Sequence, residues 1–254
     1  MRFLVAPSLL AALIVFAACS GGETKTVTRT VTETTSGTVP SESPAVVTIY
    51  FLRNGKVAPV SRGVIGPMVG TAALRELLDG PTSKESGVRS AIPAGITLES
   101  LVIANGIASV RLSRQPADDA GLAQLVYTLT QFPSVKRVDF GADAPLGRGA
   151  FEAQTPAILV ESPLPDESVE PGFEVTGTAN TFEATFNFEL KDASGKVMSK
   201  NFVTATSGSG TRGTFKFTVP YEVEKPQQGM LLVFELSAEN GSRIHESEIP
   251  LYLE

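Results

Sequence analysis

One cysteine, one histidine and no tryptophan occur in the 254 residues. With Cys19 as the sole thiol, a disulfide framework and a thiolate metal site are both excluded. A lone His245 without cysteine partners is too little for the usual zinc or Ser-His-Asp sets, and it reads as a surface or edge-strand histidine. Basic clusters are also missing. With 21 Lys and Arg against 27 Asp and Glu, the formal charge is −6, and the chain is a poor candidate for nucleic acid or an anionic membrane surface. Only one long apolar run exists, Phe3 to Phe16. It is shorter than the ~20 residues of a spanning helix and is interrupted by Pro7-Ser8.

The N-terminus carries the clearest pattern. Met1-Arg2 gives a positive start, the apolar run follows, and Ala17-Ala18-Cys19-Ser20-Gly21-Gly22 supplies small residues around a cleavage point. This stretch resembles the lipobox of bacterial lipoproteins, which implies cleavage after Ala18, lipid attachment at Cys19, and an extracytoplasmic location anchored to the cell membrane. The alternatives are an uncleaved anchor and an ordinary secretory signal in which Cys19 is incidental. A diacylglyceryl cysteine carries two chains, and at about 0.8 kcal/mol per buried methylene the attachment is stable. Loss of residues 1–18 removes Arg2 and moves the formal charge from −6 to −7.

Residues 19–44 read as a tether. Thr and Ser dominate, and Val27, Val31 and Val39 offer too little apolar area to offset the entropy of ordering. As a flexible coil of about 25 residues it reaches roughly 25–30 Å, and fully extended roughly 80 Å. Residues 45–254 remain, enough for two domains of ordinary size.

Residues 45–149 mix strand and helix signals. Val46 to Leu52 is β-branched and aromatic and stops at Asn54-Gly55. Thr71 to Leu78 has one apolar face (Ala73, Leu74, Leu77, Leu78) and closes at Gly80-Pro81. Ile96 to Ile103 meets Ile107 to Leu112 across Asn105-Gly106, a strong hairpin signal because both residues accept positive φ. Asp118 or Asp119 caps a second helix bearing Leu122, Leu125, Val126 and Leu129, and Val135 to Phe140 is a last strand. The order is β-α-β-β-α-β, an α+β domain with two helices on one face of a sheet.

Residues 155–254 are all-β. Phe186 to Leu190 and Phe215 to Val219 alternate large apolar with polar residues, and Asp192-Ala193-Ser194-Gly195, Gly208-Ser209-Gly210 and Asn240-Gly241 separate the runs. About seven short strands make an immunoglobulin-like sandwich without the Cys–Trp–Cys core of antibody domains.

Several phrases carry a family resemblance. Leu77-Leu78-Asp79-Gly80-Pro81, Ala91 to Leu98, Val110-Arg111-Leu112-Ser113 and Val126 to Val135 resemble the GerM-type sporulation and spore germination domain. Ser162-Pro163-Leu164-Pro165, Val175 to Ala179, Gly213-Thr214-Phe215, Ser237 to Gly241 and Ile249-Pro250-Leu251 resemble the immunoglobulin-like domain of bacterial spore germination lipoproteins. No catalytic residue is associated with the GerM-type domain, so the resemblance implies a binding or assembly module, without cofactor, in sporulation, germination or cell-wall assembly.

Other chemical candidates have plain explanations. Asp118-Asp119 fit a helix cap better than a cation site. Asp166, Glu167 and Glu170 are the best calcium candidate but lack EF-hand spacing and fit a solvated loop. Gly63, Gly66 and Gly70 precede a helix, yet Pro67 and the missing Lys-Ser/Thr pair argue against a phosphate cradle. The resulting expectation is a non-enzymatic, lipid-anchored scaffold with an envelope protein or cell-wall glycan as partner. Tyr50, Tyr127, Arg111 and Tyr221 are the candidate contact anchors, provided that they are exposed. The alternatives are an accessory to a membrane sensor kinase, an envelope hydrolase using scattered carboxylates, and a solute-binding lipoprotein. The last is disfavoured because two linked α/β lobes around a cleft are missing.

Overall fold

The computed structural model describes residues 44–141 and 144–254. The signal and lipid-site residues Ala18 and Cys19, and the tether up to residue 43, lie outside the described residues. Among the described residues no helix is long and apolar enough to cross a membrane.

The chain opens with a hairpin, β1 (Pro44–Arg53) and β2 (Lys56–Ile65), turned at Asn54 and Gly55. Their φ values of 52° and 78° are those of a type I′ turn, which the Asn-Gly pair accepts with little strain. Helix α1 (Val69–Leu78) buries Ala73, Leu74 and Leu77. A second Asn-Gly turn joins β3 (Leu98–Ala104) to β4 (Ile107–Leu112). Helix α2 (Asp119–Leu129) is capped by the Asp118 carboxylate, which accepts the Gly121 N–H at 2.8 Å. Strand β5 (Arg137–Asp139) returns parallel to β4.

The class is the α+β one read from the sequence, but the order gains a strand. β2 pairs with β1 as a separate two-stranded sheet beside β3-β4-β5. Pro59, Arg62 and Gly63 blur its alternation. Tyr50 faces Pro59 across the hairpin. The Tyr50 N–H donates to Thr128 Oγ1 (3.1 Å) and its C=O accepts from Gln124 Nε2 (3.1 Å). Both groups therefore turn away from β2, and the missing N–H of Pro59 costs no ladder bond. Gln131 makes the same paired contact with the Thr48 backbone at 2.8 and 2.6 Å. Gln124, Thr128 and Gln131 thus form a polar stripe at helical spacing that satisfies the outer edge of β1. Arg62, nearly buried, places two nitrogens on the Glu85 carboxylate at 2.8 and 2.6 Å and a third on Glu76 at 3.0 Å.

A short 3₁₀ segment (Arg148–Gln154) leads into the sandwich. One sheet runs β11-β8-β6 and the other β10-β9-β12-β13-β7. The strands are β6 (Ile158–Ser162), β7 (Glu167–Val169), β8 (Phe173–Ala179), β9 (Thr185–Asp192), β10 (Val197–Thr204), β11 (Gly213–Val219), β12 (Gln227–Leu236) and β13 (Arg243–Leu253). Short β7 is the strand additional to the expected seven, and it pairs parallel with the end of β13. Phe186 and Phe188 pack on Phe215 and Phe217, with centroids 4.8 and 4.7 Å apart, so the alternating aromatic faces meet in the core. Gly177 is required by proximity, since a Cβ there would lie 2.0 Å from the Leu159 carbonyl oxygen. Buried apolar side chains form two clusters, one per half, with Leu159 of β6 reaching into the first.

Candidate functional site

Two features meet where the α+β half adjoins the sandwich. The first is a partly buried polar cluster. β1 contributes Tyr50, α2 contributes Tyr127, the 3₁₀ segment contributes Arg148, and β6 contributes Glu161. One Glu161 oxygen accepts from the Tyr50 hydroxyl and from Arg148 Nη1, each at 2.6 Å. The Arg148 guanidinium lies 4.6 Å from the Tyr127 ring centroid and 5.5 Å from that of Tyr50, so the cation is held by two aromatic faces as well as by a carboxylate. The Tyr127 hydroxyl sits 2.7 Å from Thr155 Oγ1, which in turn donates to the Phe151 carbonyl. Burial, reinforced by the Glu161 charge, pushes the Tyr50 phenol well above its ordinary range, and burial also raises Tyr127. Beside this cluster, Arg212 bridges Glu152 through two nitrogens at 2.9 Å and also donates to the Pro156 carbonyl, fastening the connecting segment to the sandwich.

The second feature is a cavity of about 220 Å³ between the start of β2, strand β6 and strand β13. Val57, Pro59, Ile158, Val160, Pro163 and Ile249 give it an apolar lining. Its rim carries Arg53 and Lys56 on one side and His245, Glu246 and Glu248 on the other. Strand β13 bulges there, because the β12 pairing skips between Val233 and Glu235. His245 takes φ 53° in the bulge, and its Nδ1 lies 2.8 Å from Glu235 Oε2. Glu235 is buried and accepts the Phe182 N–H through its other oxygen.

The residues singled out in the sequence are distributed rather than gathered. His245 lies on the cavity rim, half-exposed and tied to Glu235. Asp118 caps α2, and Asp119 stands in that helix's first turn. Glu167 accepts the Leu164 N–H at 2.6 Å, and Asp166 donates its N–H to the Pro250 carbonyl at 2.8 Å. Among the described residues no three His, Cys, Asp or Glu side chains gather as a metal site, so Asp166, Glu167 and Glu170 do not form one. Gly63 falls inside β2 and Gly70 inside α1, with no shared loop to cradle an anion. Tyr50, Tyr127 and Tyr221 are 1%, 1% and 6% exposed, which removes them as contact anchors. The Tyr221 hydroxyl donates to the Val169 carbonyl instead. Arg111 alone of the four is exposed, on β4. Arg148, Glu161, Arg212 and Glu152 carry no sequence signal, since isolated charges in irregular or strand segments have no periodicity.

Comparison with known proteins follows the same division. Residues 48–143 match the family model described as sporulation and spore germination. Residues 157–242 match the model described as the immunoglobulin-like domain of bacterial spore germination. Among solved structures, the tandem GerMN domains of the sporulation protein GerM from Bacillus subtilis share 22% identity over 45% of this chain, with a TM-score of 0.37. The chain spans about half (49%) of that structure's length. The first GerMN domain of the same protein shares 23% identity over 37% of this chain and 79% of its own length, with a TM-score of 0.29. No curated protein matches the chain.

Proposed function

Because the chain joins a sporulation and spore germination domain (48–143) to an immunoglobulin-like domain of bacterial spore germination (157–242), we propose that it is a lipid-anchored, extracytoplasmic binding and scaffolding component of the cell envelope. The observation that carries this reading is the Tyr50–Arg148–Glu161–Tyr127 cluster. It commits these charged and phenolic groups to contacts between the α+β half and the sandwich, which supports a fixed binding platform. In this reading Cys19 holds the protein to the membrane, residues 19–44 lift it clear, and the folded part contacts an envelope protein or cell-wall glycan without chemistry of its own.

The test is made in intact cells. Cys19→Ser releases the protein from the membrane fraction or leaves it as precursor, while the wild type crosslinks to an envelope component. A variant that is processed yet stays membrane-bound refutes the anchor. Turnover of an envelope substrate by the purified protein, abolished by one carboxylate change, refutes the scaffold.

A further inference from the structure

The open edge of β13 beside the inter-domain cavity has the features of a strand-addition site. We propose that it binds an extended segment of a partner protein, which pairs with β13 and inserts one apolar side chain between the two domains. The proposal rests on the binding reading above and names the class of partner.

The backbone supplies the first argument. The Pro250 carbonyl accepts the Asp166 N–H at 2.8 Å, and the Glu254 N–H donates to the Val169 carbonyl at 3.0 Å. Both contacts point towards β7, so the even-numbered residues of this part of β13 turn their polar groups away from β12. Glu248 and Glu246 follow the same alternation, but β7 covers only Leu251–Leu253. The residues leading into β7 include Pro163 and Pro165, which lack an N–H to offer. Among the described residues, the outward N–H and C=O of Glu246 and Glu248 have no backbone partner. An incoming strand satisfies them, and main-chain bonds of this kind give strand addition its affinity. The bulge at His245, held by Glu235, ends the open edge at a defined point.

Size and charge specify the occupant. A cavity of about 150 Å³ holds benzene, whereas small-molecule pockets run to about 300–1,000 Å³. At about 220 Å³ the cavity suits one leucine- or phenylalanine-sized side chain rather than a whole small ligand. Glu246 and Glu248 are exposed and make no ion pair among the described residues. Arg53 and Lys56 lie across the cavity on the β1–β2 hairpin, whereas the two carboxylates stand on the edge strand itself, so a segment paired with β13 is favoured when Lys or Arg flanks its apolar anchor.

The experiment pans a phage-displayed random nonapeptide library on the full chain and remakes the selected peptides with a fluorescent label. The expected peptides carry one large apolar residue with Lys or Arg close by. Glu248→Pro removes the outward N–H, and Ala58→Trp fills the cavity from β2. Each weakens binding at least tenfold with the melting temperature unchanged, and the Glu246 and Glu248 amides exchange more slowly in the complex. Should Glu248→Pro unfold the sandwich, the surface double change Glu246→Lys with Glu248→Lys gives the same tenfold loss. No enrichment over the Glu248→Pro protein, equal binding to all variants, or unprotected amides overturns the proposal. If peptides fail while the crosslinked envelope partner of wild type persists, the partner sits on another surface and the scaffold reading stands.

Discussion

Arg148→Ala tests whether the contact between the α+β half and the sandwich is energetically real. The variant removes the cation from Glu161 at 2.6 Å and from the Tyr127 ring at 4.6 Å. Removing one partner of a fully buried pair costs about 3–5 kcal/mol, whereas an exposed pair is worth about 0.2–1 kcal/mol. The two side chains are 26% and 24% exposed, so the pair falls between these limits at about 2 kcal/mol. The cation–π contact adds about 1 kcal/mol. A loss of about 3 kcal/mol lowers the melting temperature by roughly 6–12 °C for a folded region of this size. Urea melts followed by circular dichroism measure it. Glu161→Gln and the double variant complete a cycle whose coupling energy is about 1–2 kcal/mol. Additive single effects, or a loss below about 0.5 kcal/mol, which is ordinary for a surface change, refute the role given to this cluster.

Two further outcomes follow from buried phenols and from the edge of β1. Burial raises Tyr50, Tyr127 and Tyr221, so above pH ~10 the unfolded chain ionises while the native phenols stay protonated. Their contribution is complete below pH ~10 and lost as pH rises through the folded values. The urea midpoint therefore falls as pH rises above about 10, less steeply in Tyr50→Phe, and a flat profile contradicts the burial argument. Thr128→Val keeps the side-chain shape but strips the Tyr50 N–H of its acceptor, costing about 1–3 kcal/mol by chemical denaturation. An unchanged midpoint shows that β1 does not depend on α2 for its edge.

Local chemistry was legible in the chain wherever a few neighbouring residues decide the outcome. Asn105-Gly106 accepts positive φ by itself, Asp118 caps a helix through a contact three residues away, and Phe186-Asn187-Phe188 alternates because a strand does. The division between a mixed half and an all-β half followed from such periods. Strand β2 was less legible because Pro59 and Gly63 contradict strand preference. The register set by the Asn54-Gly55 turn makes Tyr50 and Pro59 a pair that exchanges no hydrogen bonds, and the outward Tyr50 groups are satisfied by Thr128 and Gln124, more than seventy residues away. Tyrosines that suggested contact anchors became buried for a similar reason, since a Tyr side chain serves a core or an interface equally well. Arg148 and Glu161 carry no pattern at all. Their pairing depends on where the 3₁₀ segment delivers one charge relative to β6, and the cavity beside β13 exists only because β2 of the α+β half meets β6 and β13 of the sandwich there. The sequence by itself determined most of the elements, the Asn-Gly turns and the change from a mixed to an all-β half, because these rest on interactions within a few residues. The tertiary structure alone decided which polar groups meet, which edge stays open and which aromatics are buried, because each of those is a distance between segments far apart in the chain.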